Sequence, residues 1–264
     1  MQRSREAAEG LKRLRAGLRF CALLGWTALQ YPCLIGVTLL ERLWPRAAIA
    51  PRQLTTRLWA RGCLWILGVR LDVVGTPPQP PFFAAGNHLS YLDILVLHAS
   101  LRGRFLAKAE VGQIPVAGHF ARLAGTLFVK RERKRDLSRV RDELKEAIQG
   151  GEGVIVFPEG TSTRGAEVLP FRASLFQVAV DQNLPIAPFS LHYQVAPSAP
   201  PAHLSVCWWG EMEMMPHLLG LLMLDRISAR VTFIEQRAGG SDRKSLAQST
   251  WTQIQEHFEP SCVV

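Results

Sequence analysis

The chain has no Cys-x-x-Cys pair. Its five cysteines (Cys21, Cys33, Cys63, Cys207 and Cys262) are odd in number and scattered along 264 residues. That pattern argues against a zinc site and a secreted disulfide framework, and it fits a reducing compartment. The sequence also lacks a Gly-x-Ser-x-Gly elbow, a Gly-x-x-x-x-Gly-Lys loop, a Gly-x-Gly-x-x-Gly turn after a strand and a His-Glu-x-x-His pair. Serine-hydrolase, nucleotide and zinc-protease chemistries therefore lose their motif support. There is no internal repeat and no long low-complexity tract. Charged residues make up 20% against 48% apolar ones, which excludes disorder for most of the chain. Acidic residues are the scarcer sign, 22 against 31 basic, and the net charge of +9 calls for an anionic partner such as nucleic acid, a membrane surface or a phosphorylated substrate. No aromatic-basic binding motif is present and the N-terminus is apolar, so nucleic acid is set aside.

What is present begins with an uncharged stretch, Phe20–Leu40. A membrane span needs roughly 20 apolar residues, so the length suffices. Gln30 and Pro32 interrupt it, and Gly25 and Gly36 weaken it. No A-x-A site follows, so it does not read as a signal peptide. Arginines and a lysine precede it (Arg3, Arg5, Lys12, Arg13, Arg15, Arg19), and more arginines follow it (Arg42, Arg46, Arg52, Arg57, Arg61). With basic residues on both flanks, neither end looks translocated. The expectation is a helical hairpin embedded in one leaflet, with both ends on the cytoplasmic face of the inner membrane. A single membrane span is the alternative; residues 52–69 follow as a further helical segment, and Trp44, Trp59 and Trp65 beside arginines suit a lipid headgroup region.

From Arg70 onward short apolar strands alternate with helical segments. Runs such as VIVF and PIAPF read as strands buried on both faces. The expected fold is α/β, a largely parallel central sheet flanked by helices, with residues 1–69 forming the N-terminal membrane-associated part and 70–264 the catalytic domain. LSVCWWG (204–210) is also read as a strand, ASLFQVAVDQN (173–183) as a helix, and PHLLGLLML (216–224) as a helix suited equally to the core or to lipid.

Two polar clusters stand at strand ends, where function gathers in such sheets. The first, Gly86-Asn87-His88-Leu89-Ser90-Tyr91-Leu92-Asp93, follows the strand FFAA. A histidine can take a proton from a hydroxyl and pass it to a leaving group, provided an acceptor fixes its other nitrogen. Within one continuous helix His88 and Asp93 would project about 140° apart, so the pair requires a helix that begins after His88. Ser90-x-x-Asp93 is also a capping box, a purely structural alternative. The second cluster, Phe157-Pro-Glu-Gly-Thr-Ser-Thr-Arg-Gly165, follows the strand VIV and offers glycines, hydroxyls and a cation suited to an anion such as a phosphate ester. Lys108 and Arg131 stand near further strand ends, and Arg131 is the member of the run Lys130–Arg135 nearest its strand.

These clusters resemble the glycerolipid acyltransferases of the 1-acylglycerol-3-phosphate type. Asn87-His88-x4-Asp93 is similar to their first motif, Gly125-Thr-Leu-Phe-Val-Lys-Arg131 to the second, Phe157-Pro-Glu-Gly-Thr161 to the third and Leu184-Pro-Ile-Ala-Pro188 to the fourth, all in the family's order. The resemblance covers roughly residues 50–255. It implies acyl transfer from a thioester, on coenzyme A or acyl carrier protein, to the free hydroxyl of a membrane lysolipid, with 1-acylglycerol-3-phosphate giving phosphatidic acid. By that analogy His88 is the general base and Asp93 orients it. Glu159, Gly160 and Thr161 shape the acceptor site, and Arg131, Lys108 and Arg164 attract phosphate. No metal and no cofactor beyond the thioester co-substrate are implied. One departure stands out: Ser162 occupies the place after Glu-Gly-Thr where many members carry arginine, and the arginine here is Arg164. Lyso-ornithine lipid or another lysolipid is therefore a competing acceptor, with a non-catalytic lipid-binding protein and a thioester hydrolase as readings from other classes.

Overall fold

The computed structural model of the chain describes residues 2–114, 116–129, 134–235 and 242–262. Two long helices come first, α1 (Gln2–Leu43) and α2 (Pro45–Leu67). Pro32 does not break α1, and the chain reverses instead at Trp44, where Pro45 opens α2 in the first turn, a place its missing N–H does no harm. The hairpin is stitched along its length. Trp26 Nε1 donates to the Trp59 carbonyl at 3.0 Å, and Trp59 Nε1 donates to Thr27 Oγ1 at 3.1 Å. Gly62 is required at this crossing, because a Cβ there would stand 2.2 Å from the Trp26 ring.

After the hairpin come β1 (Val69–Val74), β2 (Phe83–Gly86), α3 (Leu92–Ser100), β3 (Gly103–Lys108), α4 (Ala117–Leu123), β4 (Leu127–Val129), α5 (Lys134–Gln149) and β5 (Gly153–Val156). They are followed by α6 (Gln177–Asp181), β6 (Ile186–Val195), α7 (Ala202–Ser205), α8 (Met214–Met223), β7 (Ile227–Phe233) and α9 (Arg243–Glu256). The strands form one sheet in the order β1-β7-β6-β2-β5-β3-β4, parallel at every pairing except β6 with β7. The α/β reading with a largely parallel sheet is thus what the chain adopts.

The central strands are apolar because both of their faces are covered. Phe82 and Ala84 pack with Leu64 and Leu67 of α2 and Leu92 and Val96 of α3. Phe83 and Ala85 face the other way, toward Leu144 of α5, Val178 of α6 and Leu246 of α9. From β2 the chain leaves toward β3 on one side, and from β5 it returns past β2 to β6 on the other. The carboxyl end of β2 is therefore a switch point of the sheet, where a crevice opens.

The hairpin is fixed to this domain at both ends. At one end Arg52 and Arg104 form a box of four charges with Glu41 and Glu152. Arg52 contacts both carboxylates, and Arg104 donates to Glu152 Oε1 and Glu41 Oε1 at 2.8 Å each. Arg52 and Glu152 are each 1% exposed, so their contact is buried, while Arg104 and Glu41 reach partly into solvent. At the other end Arg15 and Arg19 donate to the carbonyls of Leu222, Met223, Leu224 and Asp225, which close α8 and would otherwise be orphaned.

Two sequence expectations are corrected. Residues 204–210 are not a strand: they finish α7 and continue as a loop whose Val206 and Cys207 are fully buried. Their apolar character serves burial over the His88 loop, with the Trp208 N–H donating to the Leu89 carbonyl at 2.8 Å. Residues 173–183 form a 3₁₀ turn and the short α6 rather than one regular helix. The PHLLGLLML segment lies in α8 and its cap, burying Leu221 and Leu222 in the core while leaving Leu219 exposed.

Candidate active site

Gly86 ends β2 against the ring of Phe189, where a Cβ would meet carbon at 2.2 Å. That close approach lets the next residue turn out of the sheet. Asn87 is buried and clamps the loop to β6, donating to the Leu191 carbonyl at 3.0 Å and accepting from the Leu191 N–H at 2.7 Å. Among Gly86–Ser90 only His88 escapes full burial. Its side chain is 22% exposed, so the ring is reachable from outside.

α3 begins at Leu92, after His88, as the pairing required. His88 Nδ1 lies 2.7 Å from Asp93 Oδ2. The same oxygen accepts the backbone N–H groups of Leu89 at 2.7 Å and Ser90 at 3.1 Å. Asp93 therefore caps the loop ahead of α3 and holds His88 at once, while Ser90 Oγ accepts the Leu92 N–H at 3.3 Å rather than that of Asp93. Asp93 Oδ1 accepts the hydroxyl of Tyr193 at 2.7 Å. Both carboxylate oxygens are thus engaged by donors, and the side chain is 0% exposed. Because Asp93 can only accept here, His88 must carry its proton on Nδ1, which leaves the Nε2 lone pair free. The imidazole is held flat by Phe157, whose ring stacks on it at 4.0 Å and 13°.

Glu159 supports this geometry from behind. It is 4% exposed, and its carboxylate accepts the His88 N–H at 2.7 Å and the Leu169 N–H at 2.9 Å. Burial pushes its pKa up to about 8, against the pull of those two donors, and the neighbouring Asp93 charge adds to the rise. The Thr163 N–H closes the contact between the two loops by donating to the His88 carbonyl at 2.9 Å.

The other sequence candidates fall into three groups. Gly160 is buried in the same loop with φ near +78°, a left-handed turn that favours glycine, and Thr161 is exposed. Arg164 lines a cavity of about 250 Å³ together with Ser162, Thr163, Glu167, Leu169 and Trp209, directly beside the His88 loop. Lys108 is exposed at the end of β3, on the same sheet edge as His88 with β5 between, and no hydrogen bond or ion pair joins it to the dyad among the described residues. Arg131 lies outside the described residues. No group of three or more metal-ligating side chains occurs among the described residues.

Sequence reasoning missed Tyr193, Phe157 as the ring support, and the Asn87 clamp. Tyr193 was hidden because the apolar run of β6 fades at Leu191, whereas the strand continues to Val195 through antiparallel pairing with β7. The alternation Leu191, Tyr193, Val195 was the available signal.

Comparison with known proteins gives four results. A protein-family model described as Acyltransferase matches residues 70–192. The chain is 34% identical over 240 residues to the lyso-ornithine lipid O-acyltransferase of Pseudomonas aeruginosa, covering 90% of this chain and 91% of that one. It is also 34% identical over 163 residues to the 1-acyl-sn-glycerol-3-phosphate acyltransferase of Neisseria meningitidis, covering 58% and 64%. The crystal structure of the 1-acyl-sn-glycerophosphate acyltransferase of Thermotoga maritima shares the fold, with a TM-score of 0.67 and 20% identity over 94% of this chain and 96% of that one. A fully engaged Asp93 behind a reachable His88, on a sheet of this topology and with nine-tenths of the chain aligned to such a relative, leads to one assignment: the chain is an acyltransferase and belongs to the lysolipid-acylating branch of the glycerolipid acyltransferase family.

Proposed function

We propose that the chain moves a fatty acyl group from a thioester, on coenzyme A or acyl carrier protein, to the free hydroxyl of lyso-ornithine lipid at the cytoplasmic face of the inner membrane. The observation that carries the chemistry is the partly exposed His88 whose Nδ1 lies 2.7 Å from the buried Asp93 carboxylate, an arrangement that leaves Nε2 to act as base. In this reading Nε2 takes the hydroxyl proton as the acceptor oxygen attacks the thioester carbonyl. The carbon–oxygen bond forms, the carbon–sulfur bond breaks, and the imidazolium returns the proton to the departing sulfur. Asp93 stabilises the imidazolium between those steps, and no acyl-enzyme is required. General-base assistance of this kind contributes about 10²–10⁴ in rate.

The acceptor is argued from the cavity beside the dyad. It is lined by Arg164 and Glu167, opposite charges with no ion pair between them among the described residues. An ornithine head presents a carboxylate and an ammonium, so each finds a partner, whereas a phosphate dianion would face Glu167. Ser162 in place of the family's usual arginine supports the same choice, as do relatives named for lyso-ornithine lipid that align over nine-tenths of the chain. The second reading is 1-acylglycerol-3-phosphate, favoured by the hydroxyls and Arg164 of the loop. The basic flanks of α1 and a cytosolic thioester donor support the cytoplasmic placement.

A panel of lysolipid acceptors with radiolabelled acyl-CoA and acyl carrier protein tests this. Product with lyso-ornithine lipid well above that with 1-acylglycerol-3-phosphate is expected. Reversed preference would transfer the assignment to phosphatidic acid formation, and free fatty acid without any acylated lipid would make the chain a thioester hydrolase.

A further inference from the structure

A second cavity, of about 500 Å³, lies away from the dyad between α2, the edge strand β1 and the end of α3. Its apolar floor is Val69, Leu71 and Val73, alternate residues of β1, and its charged wall is Arg57 and Arg61, one turn apart on α2. Arg57 Nε donates to the Ala99 carbonyl at 3.2 Å, and that contact holds the guanidinium in place. No carboxylate lines the cavity, and Arg57, Arg61 and the nearby Arg102 have no ion pair among the described residues. The three repel one another. Burial lowers the Arg57 pKa, and Arg61 and Arg102 lower it further. Arg57 is the partly buried member of the three, and an unneutralised, partly buried arginine is costly unless an anion joins it.

The surroundings identify where that anion comes from. Leu54, Leu58, Arg61 and Trp65 fall within about 60° of one another around the axis of α2. All are exposed, Trp65 by 82%. Along α1 Leu11, Leu14, Leu18, Leu29, Leu39 and Leu43 are exposed as well, far more apolar surface than a water-facing hairpin would display. A basic cavity opening on an apolar stripe with a tryptophan at its rim has the chemistry of a lipid headgroup region. We propose that the Arg57–Arg61 cavity seats the phosphate headgroup of an anionic membrane lipid, distinct from the substrate, and thereby docks α2 along the bilayer surface. The seat does not depend on which lysolipid is acylated.

The test is flotation of the full chain with vesicles of phosphatidylcholine alone or with one part in five phosphatidylglycerol, both at one ionic strength. Wild type is expected to bind the anionic vesicles more tightly. Arg57→Gln/Arg61→Gln should lose about tenfold of that preference and leave binding to phosphatidylcholine unchanged. Arg243→Gln/Lys244→Gln removes the same charge from α9 on the other face of the sheet and should lose much less. Trp65→Ser, at a side chain too exposed to matter for folding, should weaken binding to both vesicle types. Equal losses from the two double variants would reduce the effect to diffuse charge and overturn the seat. An unchanged preference in Arg57→Gln/Arg61→Gln would overturn it too, and so would inorganic phosphate abolishing the preference at constant ionic strength, which would mark a soluble-anion site. Acyl transfer measured in detergent should be unaltered by Arg57→Gln/Arg61→Gln, which separates this result from any failure of the acyl-transfer assignment.

Discussion

Tyr193 and Asp93 stand one hundred residues apart in the chain and meet at 2.7 Å, hydroxyl to Oδ1. This contact ties β6 to the start of α3 and completes the set of donors around the carboxylate that holds His88. Tyr193→Phe removes one donor to a buried charged acceptor while keeping the ring. A destabilisation of about 1–3 kcal/mol is expected by urea unfolding, with reduced but measurable acyl transfer. Unchanged stability and turnover would show that the hydroxyl contributes nothing to the dyad.

His88→Ala should abolish transfer and spare the fold. The ring is partly exposed, and among the described residues its one side-chain hydrogen bond is to Asp93, which retains three other donors. A loss of about 10²–10⁴ in kcat is expected with a near-native melting curve. Near-wild-type turnover of the purified variant would end the general-base assignment.

Glu167→Gln should change acceptor choice without touching the dyad. The cavity loses its anion and keeps Arg164. The ratio of kcat/KM for lyso-ornithine lipid over 1-acylglycerol-3-phosphate is expected to fall by about tenfold, the scale of one lost charged hydrogen bond. Equal changes on both acceptors would remove Glu167 from headgroup recognition.

Glu159→Gln should alter how stability depends on pH. The native carboxyl titrates at about 8 against an ordinary 4.5, so the folded state holds this proton more tightly. Its stabilising contribution is complete below pH 4.5 and is lost as pH rises through about 8. His98 works in the opposite sense. Its buried neutral ring is lowered from 6.5 to about 4, so stability falls as pH drops through that interval. The difference between wild type and Glu159→Gln, in which the His98 contribution cancels, should decline with rising pH between 4.5 and 8. Parallel stability curves would contradict it.

Arg52→Met leaves the buried box with one negative charge too many, although Arg104 still holds Glu152 at 2.8 Å. About 3 kcal/mol of stability should be lost, the low end for breaking a buried ion pair. Arg52→Met/Glu152→Gln should recover part of it, a coupling read from the double-mutant cycle. Additive losses would mean that the two side chains do not share an energy.

The amino-acid sequence by itself determined most of the elements and the candidate residues for the chemistry. Doubly buried runs such as GVIV and PIAPF are strands because only a covered sheet tolerates them. Local spacing marked His88, Asp93 and the Phe-Pro-Glu-Gly-Thr loop as candidates and left the pair open between catalysis and capping; the resemblance of four motifs in order gave them roles. Arg164 is legible in the same loop, but Glu167 and the cavity they share are not. Tertiary structure decided what depends on partners far along the chain. It brought Tyr193 to Asp93, turned Glu159 inward to hold the His88 backbone, closed Arg52 on Glu152 and, among the described residues, left Arg57 and Arg61 without a carboxylate. It also made residues 204–210 a buried loop rather than a strand, because burial selects apolar side chains whether or not the backbone joins a sheet. Periodicity records which side chains avoid water; which groups they meet once hidden is set by how the strands are ordered.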